Sequence, residues 1–115
     1  MKTHIKRIPP WSREEIILAL DLYFRIDAYR ISARSPEIVR LSSLLRNLSV
    51  CSSERSSSYK NPTGVYMKLM NLYSIENPGK ELLNDSRLDR EIYFEFCNKK
   101  DYLHAVADEI IRTIV

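Results

Sequence analysis

Residues 59–63 bring side chains that can bind an anion to the start of a predicted helix. Asn61 is a favourable N-cap, because its side-chain oxygen can accept hydrogen bonds from the first turn, and Pro62 suits the next position, which needs no N–H donor. The remaining backbone N–H groups attract phosphate, and Lys60 adds a positive charge with no evident structural role. The sequence therefore predicts a phosphate-binding site here. Its residues are Lys60, Asn61 and Thr63, with Arg55 and Tyr59 beside them.

A second group of basic residues precedes the first predicted helix. Lys6 and Arg7 lie in a basic leader over residues 1–11, MKTHIKRIPPW, and Arg13 follows it. The first 60 residues hold 11 Lys and Arg against 6 Asp and Glu, whereas the rest of the chain holds 7 against 9. This basic half is compatible with a polyanion such as DNA, whose phosphates contribute much of its affinity for proteins. Ordinary solvated surface charge is the alternative explanation.

The sequence contains no residue pattern typical of an enzyme or a metal site. Cys51 and Cys97 are far apart and form no Cys-x-x-Cys pair, and His4 and His104 have no metal-binding spacing. No Ser/His/Asp or Cys/His set suggests nucleophilic catalysis, and two glycines make no phosphate-binding loop. We therefore expect no catalytic activity, no metal ion and no cofactor. The two thiols should be reduced, and His104 should be a packed or surface residue.

Apolar residues recur at helical spacing along the chain, without the sustained alternation typical of strands. They predict an all-α fold, a compact bundle of about five helices in one domain over residues 1–115, with a flexible serine-rich loop at 49–58. The predicted helices cover residues 13–29, 36–48, 62–73, a segment that starts near 85 and a segment from 101 to the end. The sequence shows no signal peptide and no apolar run long enough to span a membrane, so we expect a cytoplasmic protein.

The third predicted helix is expected to be the central one. Val65, Leu69 and Leu72 recur along one side of it and predict its buried face. Lys68 and Asn71 mark its solvent-exposed side. On the first helix, the side expected to face solvent carries charged residues. They are Arg13, Glu14, Asp21, Arg25 and Asp27.

Four segments of the chain carry a resemblance to a known family. They read WSREEIILALDLY at Trp11–Tyr23, SPEIVRLSSLLRNL at Ser35–Leu48, YKNPTGVYMKLMNL at Tyr59–Leu72 and LDREIYFEF at Leu88–Phe96. In order and spacing they resemble the N-terminal domain found in many bacterial HNH-type restriction endonucleases. The resemblance covers nearly the whole chain. It implies a domain that recognises double-stranded DNA, and modified DNA in particular.

In that family a separate C-terminal HNH domain cuts the DNA, and this sequence has neither its metal site nor paired Cys-x-x-Cys motifs. The resemblance therefore implies the DNA-recognition part alone, either as a fragment of a longer enzyme with a C-terminal nuclease domain or as a free-standing module that can act with a protein partner. A helical protein-interaction module, for example a mobile-element inhibitor or regulator, is a second hypothesis. An enzyme whose site has no sequence pattern is a third. For the residues themselves, the alternative is that Asn61 and Pro62 only cap a helix and Tyr59 only packs in the core.

Overall fold

The computed structural model describes residues 11–26, 30–48, 60–78 and 87–114, which form five α-helices and no strand. In chain order these are α1 (Arg13–Arg25), α2 (Pro36–Leu48), α3 (Pro62–Glu76), α4 (Arg87–Phe96) and α5 (Lys100–Ile114). The predicted all-α fold of five helices is confirmed. None of the described helices has the length and apolar character needed to cross a membrane. Most of the basic leader and the serine-rich loop lie outside the described residues.

Helix α1 begins with the capping box that the sequence contains. The Ser12 hydroxyl accepts from the Glu15 backbone N–H at 3.2 Å, and the Glu15 carboxylate accepts from the Ser12 N–H at 2.7 Å. The helix ends at Arg25 because Ile26 takes an extended backbone conformation, with φ −125° and ψ 169°. The prediction that this helix continues to residue 29 is therefore wrong by about one turn, and residues 27–29 lie outside the described part.

Helix α1, not α3, occupies the centre of the bundle. It contacts each of the other four helices. Its middle is buried on every side, as expected for a helix that is apolar all round. The buried apolar residues of α1 are Ile16, Ile17, Leu18, Ala19, Leu20, Leu22 and Tyr23. The prediction of a central α3 is wrong because a helix with one apolar face can lie beside the core, whereas one that buries all its faces must lie inside it.

Helix α3 packs against this centre through the predicted face. Val65, Leu69 and Leu72 are fully buried. The other side of the helix is not solvated as expected, because Asn71 is buried and the Lys68 ammonium lies 3.0 Å from both carboxylate oxygens of the buried Asp89. The prediction of a solvated Lys68–Asn71 side is wrong for this reason: α4 covers it and supplies a countercharge.

We predict that Leu69→Ala lowers the free energy of unfolding by about 2–5 kcal/mol, since it leaves a cavity at a fully buried site. Met67 provides the matched control, because it lies on the same helix and is 43% exposed. Met67→Ala should change the stability by less than about 0.5 kcal/mol. Urea denaturation followed by circular dichroism measures both. Similar losses for the two variants would contradict the observed orientation of α3.

Candidate functional site

Lys60 lies in the interior of the protein, at the point where the chain enters α3. Its residue exposure is only 3%. The ammonium group is 3.4 Å from Oε1 of Glu15 and 5.4 Å from the centroid of the Trp11 ring. The Lys60 backbone has a positive φ of 51°, an uncommon conformation for a residue other than glycine. A carboxylate and an aromatic face therefore compensate a charge that burial would otherwise make costly.

The backbone of Lys60 is also held in place. Its carbonyl oxygen accepts a hydrogen bond of 2.8 Å from the hydroxyl of Ser42, a buried residue of α2. Through its side chain the same residue meets the first turn of α1, and it immediately precedes the N-cap of α3. Lys60 is thus a junction of three helices. The expectation that its charge lies on the surface without a structural role is wrong. Because the side chain is buried, it offers no contact surface to DNA phosphate.

Trp11 brings a second lysine into this region. The Lys68 ammonium lies 5.1 Å from the centroid of the same indole ring, and its carboxylate partner Asp89 has no solvent exposure. Two lysine ammonium groups therefore lie against one tryptophan ring, and each has a carboxylate partner, so the formal charges of the four side chains sum to zero. We call this the buried charge cluster. Its residues are Trp11, Glu15, Lys60, Lys68 and Asp89.

Asn61 and Thr63 complete the predicted phosphate site at the start of α3. Asn61 is the N-cap, as predicted: its side-chain oxygen accepts from the Gly64 N–H at 2.8 Å, and its carbonyl accepts from the Val65 N–H at 2.9 Å. Pro62 has no N–H to offer. Thr63 is exposed. The first turn of α3 thus satisfies most of its own donors, which supports the cap-only explanation more than a preformed anion site.

Arg13 lies on the surface, but Glu95 of α4 binds it. The guanidinium donates to both carboxylate oxygens, at 2.8 and 2.6 Å, and lies 5.9 Å from the Phe96 ring centroid. This bidentate hydrogen bond raises the pKa of Arg13 and lowers the pKa of Glu95. A phosphate would have to compete with this carboxylate for Arg13. The other predicted contact residues, Lys6, Arg7, Arg55 and Tyr59, lie outside the described residues.

A groove between α1, α2 and α5 contains polar residues that the sequence patterns did not connect. Its cavity volume is about 280 Å³. At its edge the buried Asp21 carboxylate meets Nδ1 of His104 at 3.2 Å and accepts from Nε of Arg25 at 3.2 Å. Asp21 was expected on the solvated side of the first helix. That expectation is wrong, because Asp21 is buried between these two partners. Within the described residues, no group of three or more His, Cys, Asp or Glu side chains could hold a metal ion.

Arginines are concentrated around the end of α1 and along α2. Residues 25–46 contain five arginines and no lysine, against Asp27 and Glu37, so their net charge of +3 equals that of the whole chain. Arg25, Arg30, Arg34 and Arg40 are exposed, and Arg46 is partly buried. The sequence itself shows this concentration, but the arginines form no known motif, so a search for motifs does not identify them. We call residues 25–46 the arginine segment.

Because Lys60 is buried, we predict that its substitution changes the stability of the protein and not its contact with a ligand. Lys60→Met keeps much of the apolar stem but leaves the Glu15 carboxylate buried without its cation. We expect it to lower the free energy of unfolding by about 3–5 kcal/mol. Lys99, an exposed lysine, provides the control, and Lys99→Met should change stability by less than about 0.5 kcal/mol. Urea denaturation measures both variants.

A double variant separates the charge pair from simple packing. Lys60→Met combined with Glu15→Gln leaves no buried charge at this position, so the combined loss should be smaller than the sum of the single losses by at least about 1 kcal/mol. Additive losses would show that the two side chains act independently.

Comparison of the chain with protein-family models, with curated proteins and with solved structures finds no match. The observations that bear on function are therefore those of the chain itself: the buried charge cluster, the groove and the arginine segment.

Proposed function

We propose that the chain is a helical DNA-binding module and that its contact surface is the arginine segment. The observation that carries this proposal is the concentration of five arginines in residues 25–46, four of them exposed. Arginine suits phosphate binding because its guanidinium stays charged and can donate two parallel hydrogen bonds. The contact surface thus differs from the one expected from the sequence, since Lys60 is buried.

Helix α2 also carries side chains that can form hydrogen bonds to DNA, in addition to its positive charge. Arg40, Ser43 and Asn47 are exposed and lie at i, i+3 and i+7, so they share one side of the helix. Arginine and asparagine can bind base edges in the major groove, and serine can bind phosphate or base. Glu37, at the first turn, would be repelled by phosphate. We therefore expect DNA to contact the C-terminal part of α2, at Arg40, Ser43 and Asn47, and not its first turn.

The resemblance to the N-terminal domain of HNH-type restriction endonucleases supports the same proposal. It favours double-stranded DNA as the partner, and modified DNA in particular. In this proposal the module acts in the cytoplasm and directs a nuclease, on a further domain or a partner, to its target. The module itself supplies recognition and no catalytic group.

A helical protein-interaction module is the second candidate function, and two aromatic residues favour it. Phe94 of α4 is 62% exposed and Tyr102 of α5 is 60% exposed. Exposed aromatic side chains are common at protein interfaces, where they contribute large contact areas. Binding to a protein through these residues would depend much less on salt than binding to DNA phosphates.

We predict that Arg34→Ala weakens binding to every duplex by a similar factor and lowers the slope of log affinity against log salt by about one unit. Arg34 is exposed in the turn before α2, so its removal should leave the fold unchanged. Fluorescence anisotropy at several salt concentrations measures the effect, on duplexes that are unmodified, methylated or hydroxymethylated. The melting temperature provides the test of folding.

Arg87→Ala is the matched control, because the Arg87 side chain is 91% exposed but lies on α4, outside the arginine segment. It should leave affinity and salt slope unchanged. Equal effects of the two variants would indicate nonspecific attraction to positive charge. No binding to any of the three duplexes at low salt would refute the proposal and favour the protein-interaction module.

A further inference from the structure

The groove between α1, α2 and α5 combines an apolar floor with charged groups of both signs. Leu18, Leu22, Leu41, Leu44 and Ile111 form the apolar part of its lining. Its charged and titratable residues are Asp21, Arg25, Glu37, Arg40, His104 and Asp108. A cavity volume of about 280 Å³ is near the lower end for small-molecule sites, which suits a compact ligand.

Most of these charged groups already have partners. Asp21 is bound by Arg25 and by Nδ1 of His104, each at 3.2 Å. Nε2 of His104 lies 3.6 Å from the carboxylate of Asp108. The Asp21 side chain is only 6% exposed, so it serves to position Arg25 and His104 in the wall of the groove. These contacts leave N–H groups of the Arg25 guanidinium for another acceptor.

Glu37 and Arg40 differ from the rest of the lining. Both are exposed, and within the described part of the chain neither forms an ion pair or a side-chain hydrogen bond. They lie three residues apart on α2, so their side chains are neighbours on one side of the helix. The groove thus presents one carboxylate and one guanidinium close together, beside an aliphatic surface.

We propose that this groove binds a free α-amino acid with an aliphatic side chain. Its carboxylate accepts hydrogen bonds from the guanidinium of Arg40, with Arg25 beside it. Its ammonium donates to the carboxylate of Glu37. Its side chain packs on Leu41, Leu44 and Ile111. An α-amino acid carries its carboxylate and its ammonium on one carbon atom, so a single ligand can reach both Arg40 and Glu37, which are neighbours on α2.

Charge complementarity favours this ligand over a simple anion or a simple cation. A simple anion would meet Arg40 and Arg25 but leave Glu37 without a countercharge, and a simple cation would meet Glu37 but leave Arg40 without one. A zwitterion satisfies both sides. The lining contains no Phe, Tyr or Trp, and its one imidazole, His104, is bound to Asp21 and Asp108, which favours a ligand with an aliphatic body.

The test compares L-leucine with two analogues that each lack one charge: 4-methylpentanoate has no ammonium, and 3-methylbutylamine has no carboxylate. We expect L-leucine to shift the backbone amide NMR signals of Leu44, His104 and Ile111 in a saturable titration. Each analogue should bind roughly tenfold more weakly or worse, because it leaves a charged partner unpaired. Glycine, which has no side chain to occupy the aliphatic surface, should also bind more weakly.

Two variants assign the charges, and both change exposed residues, so the fold should persist. In Arg40→Gln, the affinity for L-leucine should fall to the affinity that the unchanged protein has for 3-methylbutylamine. The variant should bind 3-methylbutylamine no more weakly than the unchanged protein does. In Glu37→Gln, the affinity should fall to that for 4-methylpentanoate. Arg34→Gln, an exposed arginine outside the groove lining, is the matched control and should bind L-leucine like the unchanged protein.

Several results would overturn the proposal: no saturable shift with L-leucine, an analogue that binds as well as L-leucine, or unchanged affinity in both groove variants. DNA binding is tested at Arg34, which lies outside the groove lining. Arg40 belongs to both the groove and the arginine segment, so Glu37→Gln is the variant that tests the groove without removing an arginine. Loss of L-leucine binding with DNA binding intact in Glu37→Gln would concern the groove alone. Loss of DNA binding with L-leucine binding intact in Arg34→Ala would concern the arginine segment alone.

Discussion

The burial of Lys60 is the constraint on which the joining of the first three helices depends. Transferring an ammonium group from water into a protein interior costs several kcal/mol unless a countercharge and hydrogen-bond acceptors compensate it. Here the compensation comes from Glu15, at 3.4 Å, and from the face of Trp11. Both belong to the start of α1, whereas the lysine itself leads into α3. Neither helix can shift relative to the other without uncovering a charge.

The second lysine extends this constraint to α4. Lys68 and Asp89 form an ion pair whose carboxylate has no exposure, and Trp11 lies against Lys68 as well as Lys60. Such pairs add little stability over well-packed apolar residues, but an arrangement of the helices that separates them leaves a buried charge unpaired, which is strongly unfavourable. The buried charge cluster therefore acts mainly as a determinant of which helices meet and how. The aliphatic core around α1 supplies most of the favourable energy.

The sequence predicted the features that depend on near neighbours along the chain. The capping box at Ser12, the N-cap at Asn61 and the span of α2 follow from contacts three or four residues apart, and the structure has all three. Lys60 and Lys68 were assigned to the wrong environment because their carboxylate partners are distant in the sequence. Asp21 was assigned to the wrong environment because the helices that bury it, together with its partner His104, are distant in the sequence, although Arg25 is near. The local pattern of polar and apolar residues predicts that each charged residue is solvated, because it contains no information about a distant countercharge that would stabilise the buried charge. The central position of α1 had a visible signal, because its apolar residues cover more than one face.

Two contacts of Glu15 differ in how far apart their residues lie in the sequence, so we expect them to form at different stages of folding. Its bond to the Ser12 N–H belongs to one helical turn and requires no other part of the chain. Its pairing with Lys60 joins segments far apart in sequence, and the loop-closure entropy of that encounter must be met first. We therefore expect the capping bond to orient the Glu15 carboxylate before Lys60 reaches it. Interactions completed late act on the rate of unfolding more than on the rate of folding, so this cluster should lengthen the lifetime of the native state.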